Sequence, residues 1–234
     1  MSNKEELSKQ RLNTIINNTS KKQEKILLNV VKNVIIKLEK DFKNLNFKFV
    51  LSWKIKNIVN TLKLHFPHID FHYFHSKSSI KPDGGIVSLT DKNNNDYPIL
   101  ISEKKNQGTN DRIVAEGRKK QARGNAIERL GKNVIGLRTA MLHENIFPFV
   151  CFGDGCDFCD ESTILDRVVT IAQFGSLNTI HLHNQGPSNQ FNRGSFYFKE
   201  QQWTEDEMFK ISYEIAIRSI DYYFSKYGRD LFYS

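Results

Sequence analysis

In "ILLNVVKNVIIKLEKDF", residues 26–42, apolar residues recur at intervals of three and four, and lysines fill the positions between. That period belongs to an amphipathic helix and predicts a long one over residues 5–46, with a second over 52–64. The period then changes. "FHYFH" at 71–75, "GGIVSL" at 84–89 and "YPILISE" at 97–103 are rich in aromatic and β-branched residues and read as strands. The polar "TDKNNND" between the last two predicts a hairpin. Further along come a helix around 120–143, a strand "FPFVCF" at 147–152, a helix around 161–172, short strands near 178–183 and 195–199, and a final helix from Thr204. Thr204 and Glu207 have capping-box spacing.

Strands alternating with helices predict an α/β domain: a mixed central β-sheet flanked by helices on both faces, with an N-terminal helical layer. A single domain over 1–234 is expected, its first 66 residues helical and 67–234 forming the core. Hydrophobic residues make up 39%, which supports a buried core and excludes a disordered chain.

Lysine and arginine number 34 against 26 acidic residues, a net charge of +8. The excess fits an anionic partner, most simply nucleic acid, although many lysine-rich proteins are basic without a specific purpose. No run of uncharged apolar residues is long enough to span a bilayer. "MSNKEELSKQ" has no apolar signal core, so a cytoplasmic protein is expected. "CFGDGCDFC" holds Cys151, Cys156 and Cys159, and a C-x-x-C pair can bind zinc. A structural zinc site wants two such pairs, so ordinary reduced thiols are the expectation.

"SSIKPDGGIV", residues 78–87, sets Asp83 between a proline and two glycines. Pro-Asp-Gly is an ordinary turn signal. Twenty residues on, Glu103 and Lys105 share one strand face while Lys104 points to the other. If the two strands pair as a hairpin, Asp83 meets Glu103 and Lys105 at one sheet edge. Two carboxylates there suit a hard divalent cation, and a nearby lysine can orient or help deprotonate a water. A turn aspartate plus a strand end exposing its charges has the same spacing, and spacing alone leaves both readings open.

"QARGNAIERLGKNVIGLRTAML" places Ile127, Leu130, Val134, Leu137 and Met141 on one helical stripe. Asn125 after Gly124 reads as an N-cap. Arg123, Asn125, Glu128 and Arg129 lie off the stripe and match base-edge chemistry: Arg for guanine, Asn for adenine, Glu for an amino group. A solvated face with a Glu–Arg pair is the plain alternative.

In order along residues 78–232, "SSIKPDGGIV", "SEKKNQG", "GNAIER" followed by "KN", and "GRDLF" resemble type II restriction endonucleases of the EcoRI/MunI group, within the PD-(D/E)XK nuclease superfamily. The first 70 residues carry no motif of this kind. The resemblance implies a homodimer that uses Mg²⁺ to cut both strands of palindromic double-stranded DNA. It implies Asp83 and Glu103 as metal ligands, Lys105 as the water-assisting group, and Asn125, Ala126, Glu128 and Arg129 as readers of an inner AATT. It further implies Lys81 and Asn133 near phosphates, Arg167 in outer-base readout, and a cognate DNA methyltransferase in the same cell. Lys104 departs from the group, where EcoRI has alanine. The stretch from Lys105 to Gly124 is shorter than in EcoRI, so the DNA-embracing arm should be reduced. Arg123 stands where EcoRI has a small residue and where a member cutting CAATTG has arginine. CAATTG is therefore the expected site, with GAATTC next. A repair or junction nuclease of the same fold, or a non-catalytic DNA-binding protein, are the competing functions.

Overall fold

A computed structural model describes residues 15–106, 125–155, 158, 163–172, 176–185 and 192–233. The heptad-like stripe of the N-terminal segment folds as α1, Ile15–Asp41. It turns Leu27, Val30, Val31, Val34 and Leu38 inward, all fully buried. At residues 46–50 the chain is a strand rather than the end of that helix: β1, Asn46–Val50, reads "NFKFV" with apolar residues at alternate positions. A two-stranded ribbon, β2 (Trp53–Lys54) with β3 (Ser79–Ile80), brackets α2, Ile55–His65.

The predicted hairpin is present as β4, Ile86–Thr90, and β5, Asp96–Asn106, paired antiparallel. Its turn closes on Asp91, whose carboxylate accepts from the Asn93 and Asn95 amides, each at 2.8 Å. Asn94 takes φ 62°, a conformation that asparagine tolerates. Then follow α3 (Asn125–Ala140), β6 (Phe149–Asp154), α4 (Thr163–Ala172), β7 (Ser195–Lys199) and α5 (Glu205–Tyr227). The capping box forms as expected. Thr204 Oγ1 accepts from the Glu207 amide at 3.2 Å, and the Glu207 carboxylate accepts from the Thr204 amide at 2.9 Å.

The main sheet runs β1-β4-β5-β6-β7, antiparallel as far as β5 and parallel from β5 to β7. Helices cover both faces. On one, α1 and α5 pack over Val87, Leu89, Leu100, Val150 and Phe152. On the other, Leu130, Val134, Leu137 and Met141 of α3 and Ile164 and Val168 of α4 lie over Ile86, Ile101, Phe149, Cys151 and Phe196. Each such large apolar side chain, fully buried, contributes ~1.5–3 kcal/mol relative to exposure.

Two predicted strands are absent. "FHYFH" has no ladder partner, and Phe74 is 85% exposed. Near 178–183 there is only an isolated bridge, Ile146 with His183. The first stretch is mostly exposed, and the second buries Leu182 but finds no strand among the described residues to pair with beyond that bridge.

Candidate active site

β4 begins at Ile86, opposite Ile101, yet β5 continues five residues further with only β6 fully alongside. On the open side, the loop 83–85 supplies what a strand would. The Gly84 amide donates to the Ser102 carbonyl at 2.9 Å, and the Ser102 amide donates to the Gly85 carbonyl at 3.3 Å. The Asp83 carboxylate then takes the place of a backbone acceptor: its Oδ2 accepts from the Lys104 amide at 3.2 Å. In return the Asp83 amide donates to Glu103 Oε2 at 2.9 Å.

Both glycines are needed. A Cβ on Gly84 would overlap Ser102 Oγ and come within 2.9 Å of Leu27 Cδ2. Gly85 has φ +76°, and its missing Cβ would lie 2.9 Å from the Val50 carbonyl. The Pro-Asp-Gly-Gly stretch is thus a turn and also a device that lays one carboxylate beside another.

Lys105 completes the cluster. Its Nζ lies 3.3 Å from Asp83 Oδ2 and donates a short bond to Glu103 Oε1. Asn133 Nδ2, from α3, donates to the same Oε1 at 3.0 Å. Glu103 is fully buried, whereas the Asp83 side chain keeps 24% of its surface. Burial pushes the Glu103 carboxyl above the ordinary carboxylate range; Asp83 adds to that, and Lys105 opposes it. For Lys105, burial acts to lower the pKa, but Glu103 and Asp83 outweigh it and hold the side chain as an ammonium.

This donor set fits a hard divalent cation of the magnesium type. Two carboxylates from adjoining backbone segments suffice for an ion that keeps most of its waters. Among the described residues there is no group of three or more His, Cys, Asp or Glu placed to hold a metal. Cys151 is buried under α3 and α4, and burial raises its thiol pKa, so it is inert. Cys156 and Cys159 lie outside the described residues.

Lys81 is exposed two residues before Asp83. Arg167 is exposed on α4. Asn125, Ala126, Glu128 and Arg129 lie in the opening turns of α3, their side chains outside the described set, as are Arg123 and Gly124 altogether. Asn133 sits inside the cluster rather than at its rim, a placement that no sequence period signals. Lys104 does turn to the opposite face, where it forms a buried ion pair with Asp154. Pairing between an i and an i+50 residue has no local sequence signature.

The five-stranded mixed sheet with helices on both faces belongs to the restriction-endonuclease-like α/β class. The profile of the family described as restriction endonuclease EcoRI matches residues 9–164, so it includes most of the N-terminal part that lacked a quotable motif. The type II restriction enzyme RsrI of Cereibacter sphaeroides is 31% identical over 240 aligned residues, covering 88% of this chain and 87% of that enzyme. The type II restriction enzyme EcoRI of Escherichia coli is 30% identical over 230, covering 83% and 82%. The chain belongs to the EcoRI restriction endonuclease family. It is a type II restriction endonuclease, a DNA-binding, site-specific deoxyribonuclease of the kind that uses a divalent metal ion. No helix among the described residues is long and apolar enough to cross a membrane.

Proposed function

We propose that this endonuclease acts as a Mg²⁺-dependent homodimer on a palindromic AATT-centred site, CAATTG in preference to GAATTC. The observation that carries the reading is the meeting of Asp83, Glu103 and Lys105, with Asn133 tying that cluster to the helix that begins at the Gly-Asn-Ala-x-Glu-Arg segment. Asp83 and Glu103 would hold the ion, and a magnesium there lowers the pKa of a bound water and offsets charge on the scissile phosphate.

The remaining chemistry belongs to the chain. Lys105, held as an ammonium by two carboxylates, donates hydrogen bonds and positive charge toward the phosphate and positions the attacking water. Lys81, exposed beside the cluster, supplies a further cation for the DNA backbone. Asn125, Ala126, Glu128 and Arg129 read the inner base pairs, and Arg123 contacts the outer guanine. Arg167, exposed on α4, is the residue through which GAATTC would be read instead. A matching methyltransferase is expected in the same cell.

Digestion of a plasmid carrying one CAATTG and one GAATTC, with Mg²⁺ and then with chelator, tests the reading. Discrete cutting at CAATTG is expected, and cutting only at GAATTC would defeat the Arg123 argument. Smeared products would favour a repair nuclease, and a mobility shift without cleavage a binding module. Asp83→Ala and Glu103→Ala should abolish cutting while DNA binding persists; wild-type cutting by either would displace the metal site. Sedimentation of the free protein checks the dimer.

A further inference from the structure

Behind the catalytic edge, on the sheet face covered by α1 and α5, lies a charged pair that the chemistry above does not use. Lys104 and Asp154 are an ion pair with 4% and 2% of their side-chain surfaces exposed. Burying two charges is costly unless their remaining hydrogen bonds are met. Here they are met by groups from several elements. Asp154 Oδ1 accepts from Asn106 Nδ2 at 2.7 Å. Asp154 Oδ2 also accepts from the Trp203 amide at 3.2 Å, and Trp203 Nε1 donates to the Gly153 carbonyl at 2.8 Å. Lys199 lies 4.1 Å from the centre of the Trp203 ring, and its Nζ bonds Glu207 at 2.6 Å. In register, Asp154 sits between Asn106 of β5 and Lys199 of β7.

Lys104 stands between Glu103 and Lys105, and its own amide holds Asp83 Oδ2. Its side chain passes to one face of β5 while its two neighbours serve the other. Beyond Ser102, β5 keeps its ladder to β6 but has no strand among the described residues on the Asp83 side, so one edge of its end is held by loop and side-chain contacts. We propose that the Lys104–Asp154 pair is a latch that sets the rotation of the β5 end, and with it the positions of Asp83, Glu103 and Lys105. Lys104 and Asp154 are positioning residues in this account: they touch no substrate and act through the three residues that do. The inference rests on the metal-site reading proposed above.

The test uses the full-length enzyme and four readouts: thermal melting, affinity for cognate DNA without Mg²⁺, single-turnover cleavage rate, and the Mg²⁺ concentration giving half-maximal rate. Lys104→Met with Asp154→Leu removes both charges together, so no lone charge stays buried. Expected are wild-type DNA affinity, a melt lowered modestly because Asn106 Nδ2 and the Trp203 amide lose their acceptor, a rate lower by roughly tenfold to a hundredfold, and a raised Mg²⁺ requirement, because small misplacement of reacting groups is costly. Cleavage within about twofold of wild type at an unchanged Mg²⁺ requirement would overturn the latch, because displaced reacting groups would slow it further. If the double variant fails to fold, Lys104→Met with Asp154→Asn, which keeps an acceptor for the Trp203 amide and leaves no lone charge buried, decides by the same readouts. Lys104→Arg, which can keep the pair, should restore most of the rate. Asp83→Ala runs alongside: wild-type cutting by that variant would sink the metal-site reading itself, independently of the latch.

Discussion

Asn133→Ala separates two accounts of one residue. The family resemblance puts Asn133 beside a phosphate, whereas its amide lies 3.0 Å from Glu103 Oε1. Glu103 is fully buried, so water cannot readily replace the lost donor. A hydrogen bond to a charged acceptor contributes about 1.5–3 kcal/mol. If the full strength of that contact is realised only in the transition state, its loss slows cleavage by roughly tenfold to a little over a hundredfold, at about 1.4 kcal/mol per decade. Single-turnover cleavage of a cognate duplex measures this directly, with binding titrated in parallel over a range of salt. A Glu103-holding role predicts a slower rate, near-unchanged affinity and an unchanged salt slope. A phosphate role predicts weaker binding and a log–log salt slope reduced by about one. A wild-type rate with weakened, less salt-sensitive binding would refute the reasoning, and the Glu103 contact would then be incidental to catalysis.

Gly84→Ala should impair cutting, because its Cβ collides with Ser102 Oγ and crowds Leu27, displacing the neighbouring Asp83; an unimpaired enzyme in a cleavage time course would contradict this. Glu144 is buried and accepts from Tyr222 and Tyr227 hydroxyls, each at 2.9 Å, and from Lys226 at 2.6 Å. Glu144→Ala leaves the two tyrosine hydroxyls without their acceptor, while the partly exposed Lys226 can turn to water, and should cost about 1–3 kcal/mol, read by urea denaturation; no measurable loss would sink the estimate. His143 stacks on His65 at 4.1 Å, near Glu144, Lys226 and Arg138, and burial pushes its pKa down to about 4. The unfolded imidazole titrates near ~6.5, so it takes up a proton first as pH falls. The stability linked to His143 is therefore complete above that value and lost as pH falls toward the folded value, by up to ~3 kcal/mol. His143→Gln should flatten the stability curve between those limits, and parallel curves for the two proteins would exclude the linkage.

Much of this was legible in the sequence because the signals were local. The α3 stripe, the Thr204 capping box and the hairpin turn depend on residues within a few positions of one another. The Asp83–Glu103–Lys105 meeting was legible because strand alternation and hairpin pairing carry a residue pattern across twenty positions. β1 was hidden by the preceding helical period, which gives no stop signal as clear as glycine or proline before Asn46. "FHYFH" misled because strand composition says nothing about whether a neighbouring strand is available. Asn133 with Glu103 and Lys104 with Asp154 join residues 30 and 50 positions apart, where only tertiary packing decides.

Among the described residues the sheet divides the apolar interior into two compartments, and α3 packs into the one away from α1 and α5 through Leu130, Val134, Leu137 and Met141. The helix that carries Asn133 into the cluster is thus seated on the side of the sheet away from α1 and α5. Loosening α3 would then show in cleavage before it shows in the packing of α1 and α5.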